Sequence, residues 1–321
     1  MKYYTKEALR QTLVGQYEIL VGNISFEERS VMIPQILSSD KNIRAIYFQN
    51  EGFADLPSTS ARREEISSIF GSRLIIQNTS VDDPILTLRV YKETLGGIEN
   101  IEEANIIVDI TTFTHEGLLL MFRLLKSNFS NGKHTYVYNV AKDYSVQEPT
   151  KSKWLSKGTK EIRTVIGYSG RIGSNKNRHL VILAGFELQR AIVLIESIEP
   201  KKISIGFGDV GSLGEVKNYH TGKHFRNLLE KASAIYENVE EFTFSCDDPA
   251  ATRISINRIV ERNKDDNIIV APMNTKIAAI GAALSAGDYR DIQIIYVAPR
   301  LYNIHGYSTP DDRFYQMDNL Y

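Results

Sequence analysis

The same ordered set of signals occurs twice along this chain, and that duplication limits the fold more than any single motif does. A strand-like run (Tyr17 to Gly22, then His179 to Ala184) leads into Phe26-Glu27-Glu28-Arg29 in one half and Phe186-Glu187-Leu188-Gln189-Arg190 in the other. A second apolar run follows each (Ile43 to Phe48; Ile203 to Phe207), then Asp82-Asp83-Pro84 or Asp247-Asp248-Pro249. Asn105 to Val108 or Asn267 to Val270 comes next, and Tyr136 to Val140 or Ile294 to Ala298 closes the set. Shared order and rough spacing predict two related units. Short Ile- and Val-rich runs alternate with helical periodicity, the pattern of a parallel sheet covered on both faces. The expected fold class is therefore α/β, with two tandem, internally duplicated Rossmann-like units and mainly parallel sheets. The expected boundaries are 1–150 for the first unit, 151–178 for a basic linker, and 179–321 for the second unit with a tyrosine-rich C-terminal tail.

A chain of 321 residues, 42% hydrophobic, can bury two cores of ordinary domain size. The formal charge of −1 gives no global attraction to nucleic acid or membrane, so a polyanion site must come from local clustering. A single cysteine, Cys246, excludes an intramolecular disulfide and a cysteine-rich metal site, which fits a reducing, cytoplasmic setting. Lys2, Lys6, Glu7 and Arg10 interrupt the first residues, against a signal peptide, and Asn274, Thr275 and Lys276 interrupt the most apolar window, against a membrane span. Both Asp-Asp-Pro signals suit helix starts, since Asp accepts backbone N–H bonds and Pro lacks an N–H that the first turn does not need.

The segment 151–178 carries Lys151, Lys153, Lys157, Lys160, Arg163, Arg171, Lys176 and Arg178 against the lone acid Glu161, together with Trp154. Basic residues with an aromatic suit a nucleic-acid contact, but a solvated linker with Trp154 plugged onto one unit is the preferred explanation. Gly167, Gly170 and Gly173 precede a strand, the wrong context for a dinucleotide fingerprint. The tyrosine-rich tail residues Tyr296, Tyr302, Tyr307, Tyr315 and Tyr321 suit a protein-partner surface or a fold-back over a unit.

Ligands of doubly wound sheets sit beyond the carboxyl ends of the strands, at helix N-termini. The turns after the first strand of each unit carry Arg29 in one case and Glu187 and Arg190 in the other; guanidinium there fits phosphate or carboxylate, while a Glu–Arg pair alone also explains the pattern. The turns after the Asn-Ile-Ile-Val strands read Asp109-Ile110-Thr111-Thr112-Phe113-Thr114-His115 and Ala271-Pro272-Met273-Asn274-Thr275-Lys276. In each, hydroxyl or amide donors line a turn and a cationic residue opens the helix, an arrangement able to hold a phosphate.

At these residues the chain resembles the CRISPR-associated Rossmann-fold sensor family, CARF, whose signature is Asp-x-Thr-Gly-Gly-Thr-Lys between a strand and an alanine-rich helix. Asp109, Thr111 and Thr114 stand where the signature has its Asp and threonines, with His115 in the lysine position. In the second unit Thr275 and Lys276 match on a turn one residue shorter, and neither unit keeps the two glycines. The resemblance implies sensing of a cyclic oligonucleotide at a twofold interface, for which the two units would supply both halves.

Signs of catalysis are sparse. His220 and His224 are the one pair with metal-ligand spacing, lacking the adjacent Glu of a hydrolase helix, and neighbouring acids such as Asp265 and Asp266 point different ways. Cys246 lies beside Asp247 and Asp248, which disfavours a thiolate. No cofactor and no metal are expected. The leading expectation is a non-enzymatic sensor or regulatory subunit that binds a nucleotide or other phosphorylated ligand and passes its output to a protein partner. A structural subunit of a multiprotein assembly is the alternative, followed by a nucleotide- or phosphodiester-cleaving enzyme.

Overall fold

A computed structural model of the chain describes residues 2–129, 131–144, 154–209, 215–318 and 320. The chain divides into two compact units, one made of Met1–Lys153 with Ile304–Tyr321 and the other of Trp154–Asn303.

In the first unit, numbering elements along the chain, β2 (Ile19–Ile24), β3 (Arg44–Asn50), β4 (Leu74–Thr79), β5 (Ile106–Asp109) and β6 (His134–Tyr144) run parallel. Their order from one edge is β4-β3-β2-β5-β6; β13 (Ser308–Asp318) then pairs antiparallel with β6, and β1 (Lys2–Thr5) pairs antiparallel with β13. The helices are α1 (Lys6–Leu13), α2 (Met32–Leu37), α3 (Pro57–Phe70), α4 (Pro84–Gly96) and α5 (His115–Asn128), with a 3-10 turn at Glu28–Val31. Leu20, Ile107, Leu9, Leu13, Ile66 and Phe70 pack into one fully buried cluster, which fixes helices against the sheet.

The second unit repeats the plan. Strands β8 (Arg178–Leu183), β9 (Lys202–Asp209), β10 (Val239–Ser245), β11 (Asn267–Pro272) and β12 (Gln293–Tyr302) are parallel in the order β10-β9-β8-β11-β12, and β7 (Ser156–Ser169) closes the sheet antiparallel to β12. Its helices are α6 (Leu188–Ile198), α7 (Glu215–Ser233), α8 (Pro249–Arg262) and α9 (Lys276–Asp288). Both units are thus Rossmann-like with matching strand order. The repeat extends to single atoms: Asp83 and Asp248 cap α4 and α8, and the hydroxyls of Thr87 and Thr252 each donate to a serine carbonyl seven residues back, Ser80 and Ser245, at 2.6 Å.

Two expected boundaries change. The stretch 151–178 is no linker where it is described: Ser156–Ser169 is a strand, with Val165 and Tyr168 buried and Ile162 packed against the core between its charges. Charge hid the alternation that makes it a sheet edge. Lys157 lies over the Trp154 ring at 4.0 Å, so Trp154 belongs to this unit, while Lys151 and Lys153 lie outside the described residues. The tyrosine-rich tail does not close the second unit; Phe314, Tyr315 and Met317 are buried in the first unit's sheet. Tyr321 and the side chains of His220 and His224 also lie outside the described residues.

Candidate functional site

Strand order reverses between β2 and β5 in the first unit and between β8 and β11 in the second, and the turns at those carboxyl ends are where such sheets receive ligands. In the first unit, Thr114 caps α5 by accepting Gly117 N–H at 3.0 Å, and half-buried His115 opens the helix. Asp109 and Thr111 turn inward. Asp109 accepts the Thr111 hydroxyl at 2.5 Å and its N–H at 3.1 Å, and the Thr111 oxygen in turn accepts Asn139 N–H at 3.0 Å. Burial raises the Asp109 carboxyl to about 7, opposed by the Thr111 bonds and by Arg29. The Tyr47 hydroxyl is buried near this carboxyl without a hydrogen bond, its ring lying over Gly22, where a Cβ would come within 2.5 Å of it.

In the second unit, Thr275 caps α9 by accepting Ala278 N–H at 3.1 Å and donates its hydroxyl to Cys246 C=O at 2.7 Å. Asn274 accepts Thr275 N–H and the Cys246 thiol through one amide atom and donates to Ala184 C=O through the other. The approach is tight enough to demand glycine at 185, where a Cβ would lie 2.2 Å from Met273 C=O. Lys276, half-buried, opens α9 as His115 opens α5. Burial, then Asp247 and Asp209, push the Cys246 thiol up, which removes it as a nucleophile.

The two arginines lie deeper. Arg29 is 2% exposed; it pairs with Glu27 at 2.7 Å and donates to Ser308 Oγ at 2.9 Å and Asn139 C=O at 3.1 Å, beneath the rings of Tyr138 and Tyr144. Burial opposes its charge, but Glu27 and the two tyrosines hold its pKa above the usual guanidinium value. Arg190 lies 3.9 Å from Glu187 and donates to Val297 C=O at 2.6 Å. Glu187 accepts Ser156 N–H at 2.8 Å; burial raises its carboxyl, opposed by Arg190 and by the Ser156 and Leu155 N–H groups.

The structure therefore gathers Thr114 with His115 and, in the other unit, Asn274, Thr275 and Lys276 at helix openings. Arg29, Asp109, Thr111, Glu187 and Arg190 are instead engaged in bonds within their own units. Sequence reasoning missed the partners of the arginines. One signal was there: Tyr138 and Tyr144 recur at the same separation as Tyr296 and Tyr302, and each pair brings its hydroxyls together, at 3.5 and 3.3 Å. Among the described residues, no three or more His, Cys, Asp or Glu side chains gather as a metal site, and no helix is long and apolar enough to cross a membrane.

By sequence the chain matches no protein family and no curated protein. By structure it does better. A type III CRISPR defence DNA nuclease activated by cyclic oligoadenylate aligns over 91% of this chain and 67% of its own, with 6% identity and a TM-score of 0.56. The shared property is the fold, and it agrees with the resemblance to CRISPR-associated Rossmann-fold sensors drawn from the two turns. An O-methyltransferase family protein from Burkholderia thailandensis (12% identity, 45% of this chain and 44% of that one, TM-score 0.25) and an N-terminal ketoreductase from a macrolactin assembly line (12%, 83% and 48%, 0.21) align too poorly to inform the fold.

Proposed function

We propose that the protein is a sensor or regulatory subunit in prokaryotic antiviral defence that binds a nucleotide, with a cyclic oligoadenylate as the first candidate. The observation that carries this reading is the repeated helix opening: a threonine cap followed at once by a residue able to carry positive charge, Thr114-His115 on α5 and Thr275-Lys276 on α9, each at the reversal point of its sheet. Such openings combine the positive helix end with a side-chain cation, the usual means of holding phosphate. The likeness to a defence nuclease supports the setting at the level of fold. Output through a protein partner remains part of this reading, and a cytoplasmic setting accompanies it.

The ligand set narrows from the one the sequence suggested. Arg29 is held by Glu27 and by Asn139 C=O, which favours a structural role for it; Arg190 donates to Val297 C=O with Glu187 3.9 Å away, and its buried Nε has no hydrogen-bond partner. Direct contacts fall to Lys276, His115 and the N–H groups of the helix openings, with Asn274 and Thr275 shaping the turn.

Thermal unfolding against cyclic oligoadenylates of several ring sizes, linear oligoadenylates and mononucleotides tests the reading. A true ligand at 100 times its Kd adds about 2.7 kcal/mol of stability. Lys276→Ala and His115→Ala should abolish the shift, each variant being compared with its own unliganded melting temperature. The absence of stabilisation by every nucleotide tried would refute it.

A further inference from the structure

The strand connections are unusual. Residues 303–307 join β12 to β13, a length that ordinarily closes an antiparallel hairpin, yet β12 pairs with β7 and β13 with β6. In the same way β6 leads into β7 without pairing with it. β7 opens the second unit, and β13 carries the chain back into the first unit's sheet.

The two closing strands are also built alike. Ser308 faces Tyr144 and Tyr315 faces Tyr138, so seven steps along β13 match six along β6. Ser156 faces Tyr302 and Arg163 faces Tyr296, again seven steps against six. Over these stretches each closing strand gains one residue net on its partner, β7 by a single bulge after Thr159 and β13 by two register shifts of opposite sense around Pro310. Each opening serine meets the glutamate of the first helix turn: Glu27 accepts the Ser308 hydroxyl at 2.6 Å, and Glu187 accepts Ser156 N–H at 2.8 Å. Beside each glutamate, an arginine donates to the carbonyl of the residue after a tyrosine of the facing strand, Asn139 after Tyr138 for Arg29 and Val297 after Tyr296 for Arg190.

We propose that β7 and β13 are interchangeable closing strands, so that the chain has a second pairing, β6 with β7 and β12 with β13, and that the two glutamate clamps select between the pairings. In that second state Glu27 receives Ser156 and Glu187 receives Ser308. As in domain swapping, the contacts broken resemble those remade, but Glu27 holds the Ser308 hydroxyl and Glu187 the Ser156 N–H, so the fit of each serine to its clamp decides which pairing prevails, and the barrier is the release of both strands. The device does not depend on any ligand.

Cysteine trapping in the full chain tests this. Thr309 faces Asp143, and Leu301 faces Lys157; all four lie outside the core. In a protein carrying Asp143→Cys, Leu301→Cys and Thr309→Cys, the new thiol at 309 joins 143 in the present pairing and 301 in the alternative one. A second protein with Asp143→Cys and Lys157→Cys reports the reciprocal change. Buried Cys246 stays out of the exchange. In the parent background, peptide mapping should find the 143–309 link almost alone. When the clamps are weakened by Glu27→Gln with Glu187→Gln, the 301–309 and 143–157 links should rise together, at least tenfold. A rise in only one link means that β13 merely frays, and a rise in neither means that the pairing is fixed; either result overturns the proposal. If the clamp variants do not fold, the same mapping on clamp-intact protein in urea below its unfolding transition gives the same decision.

Discussion

Burial raises the carboxyl of Asp109 from its usual 3.8 to about 7, against the pull of the Thr111 bonds and Arg29. A group whose folded pKa lies above its unfolded one contributes full stability below the unfolded value and loses it as pH rises through the folded value. Asp109→Asn, which stays neutral, should therefore gain on the parent as pH climbs from 4 to 7, by up to about 1.4 kcal/mol per unit. His134 and His179, which burial lowers to about 4, work the other way, but they are present in both proteins and cancel in the comparison. Urea unfolding of both proteins at pH 5 and pH 7 reads the difference, and parallel pH curves would remove the buried-carboxyl account. Glu27→Ala should cost about 3–5 kcal/mol, because it leaves the Arg29 charge buried without its partner. The melting temperature checks this, and a loss under 1 kcal/mol would show that Tyr138, Tyr144 and Asn139 suffice. The caps at Asp83 and Asp248 were legible because a cap is a local event. The fate of Arg29 was not, since its partner Ser308 lies far along the chain.

Among the elements, the central parallel strands were legible because burial on both faces leaves continuous apolar runs such as Ile106 to Val108 and Ile268 to Val270. The closing strands β7 and β13 face water on part of their length and carry charges, so their sequences read as linker and tail. No strand's own sequence says which sheet it joins. Truncation after Asn303 should consequently damage the first unit, although the lost segment follows the second in sequence. It removes the strand between β1 and β6 and exposes the places of Phe314, Tyr315 and Met317, each worth about 1.5–3 kcal/mol of burial. Hydrogen exchange should show β6 and β5 losing protection while β8, β9 and β11 keep theirs. No loss at β6 and β5 would contradict the strand assignment.

For the whole molecule, two cores joined by two crossings form a closed loop of dependence. Synthesis, however, is linear. On a ribosome, β6 is complete some 170 residues before β13 has been made. At 5–20 residues per second that is a wait of roughly 10–35 s, far longer than hairpin formation. The next closing strand to leave the exit tunnel is β7, so the nascent chain meets the alternative partner first and is expected to pair β6 with β7 before β13 replaces it. Chains stalled near residue 200 should then protect Ser156–Ser169 from protease, and released full-length chains should show a slow rearrangement after synthesis ends. An unprotected Ser156–Ser169 segment in the stalled chains would mean that the sheet waits open for its last strand, with the edge of β6 a standing target for chaperones.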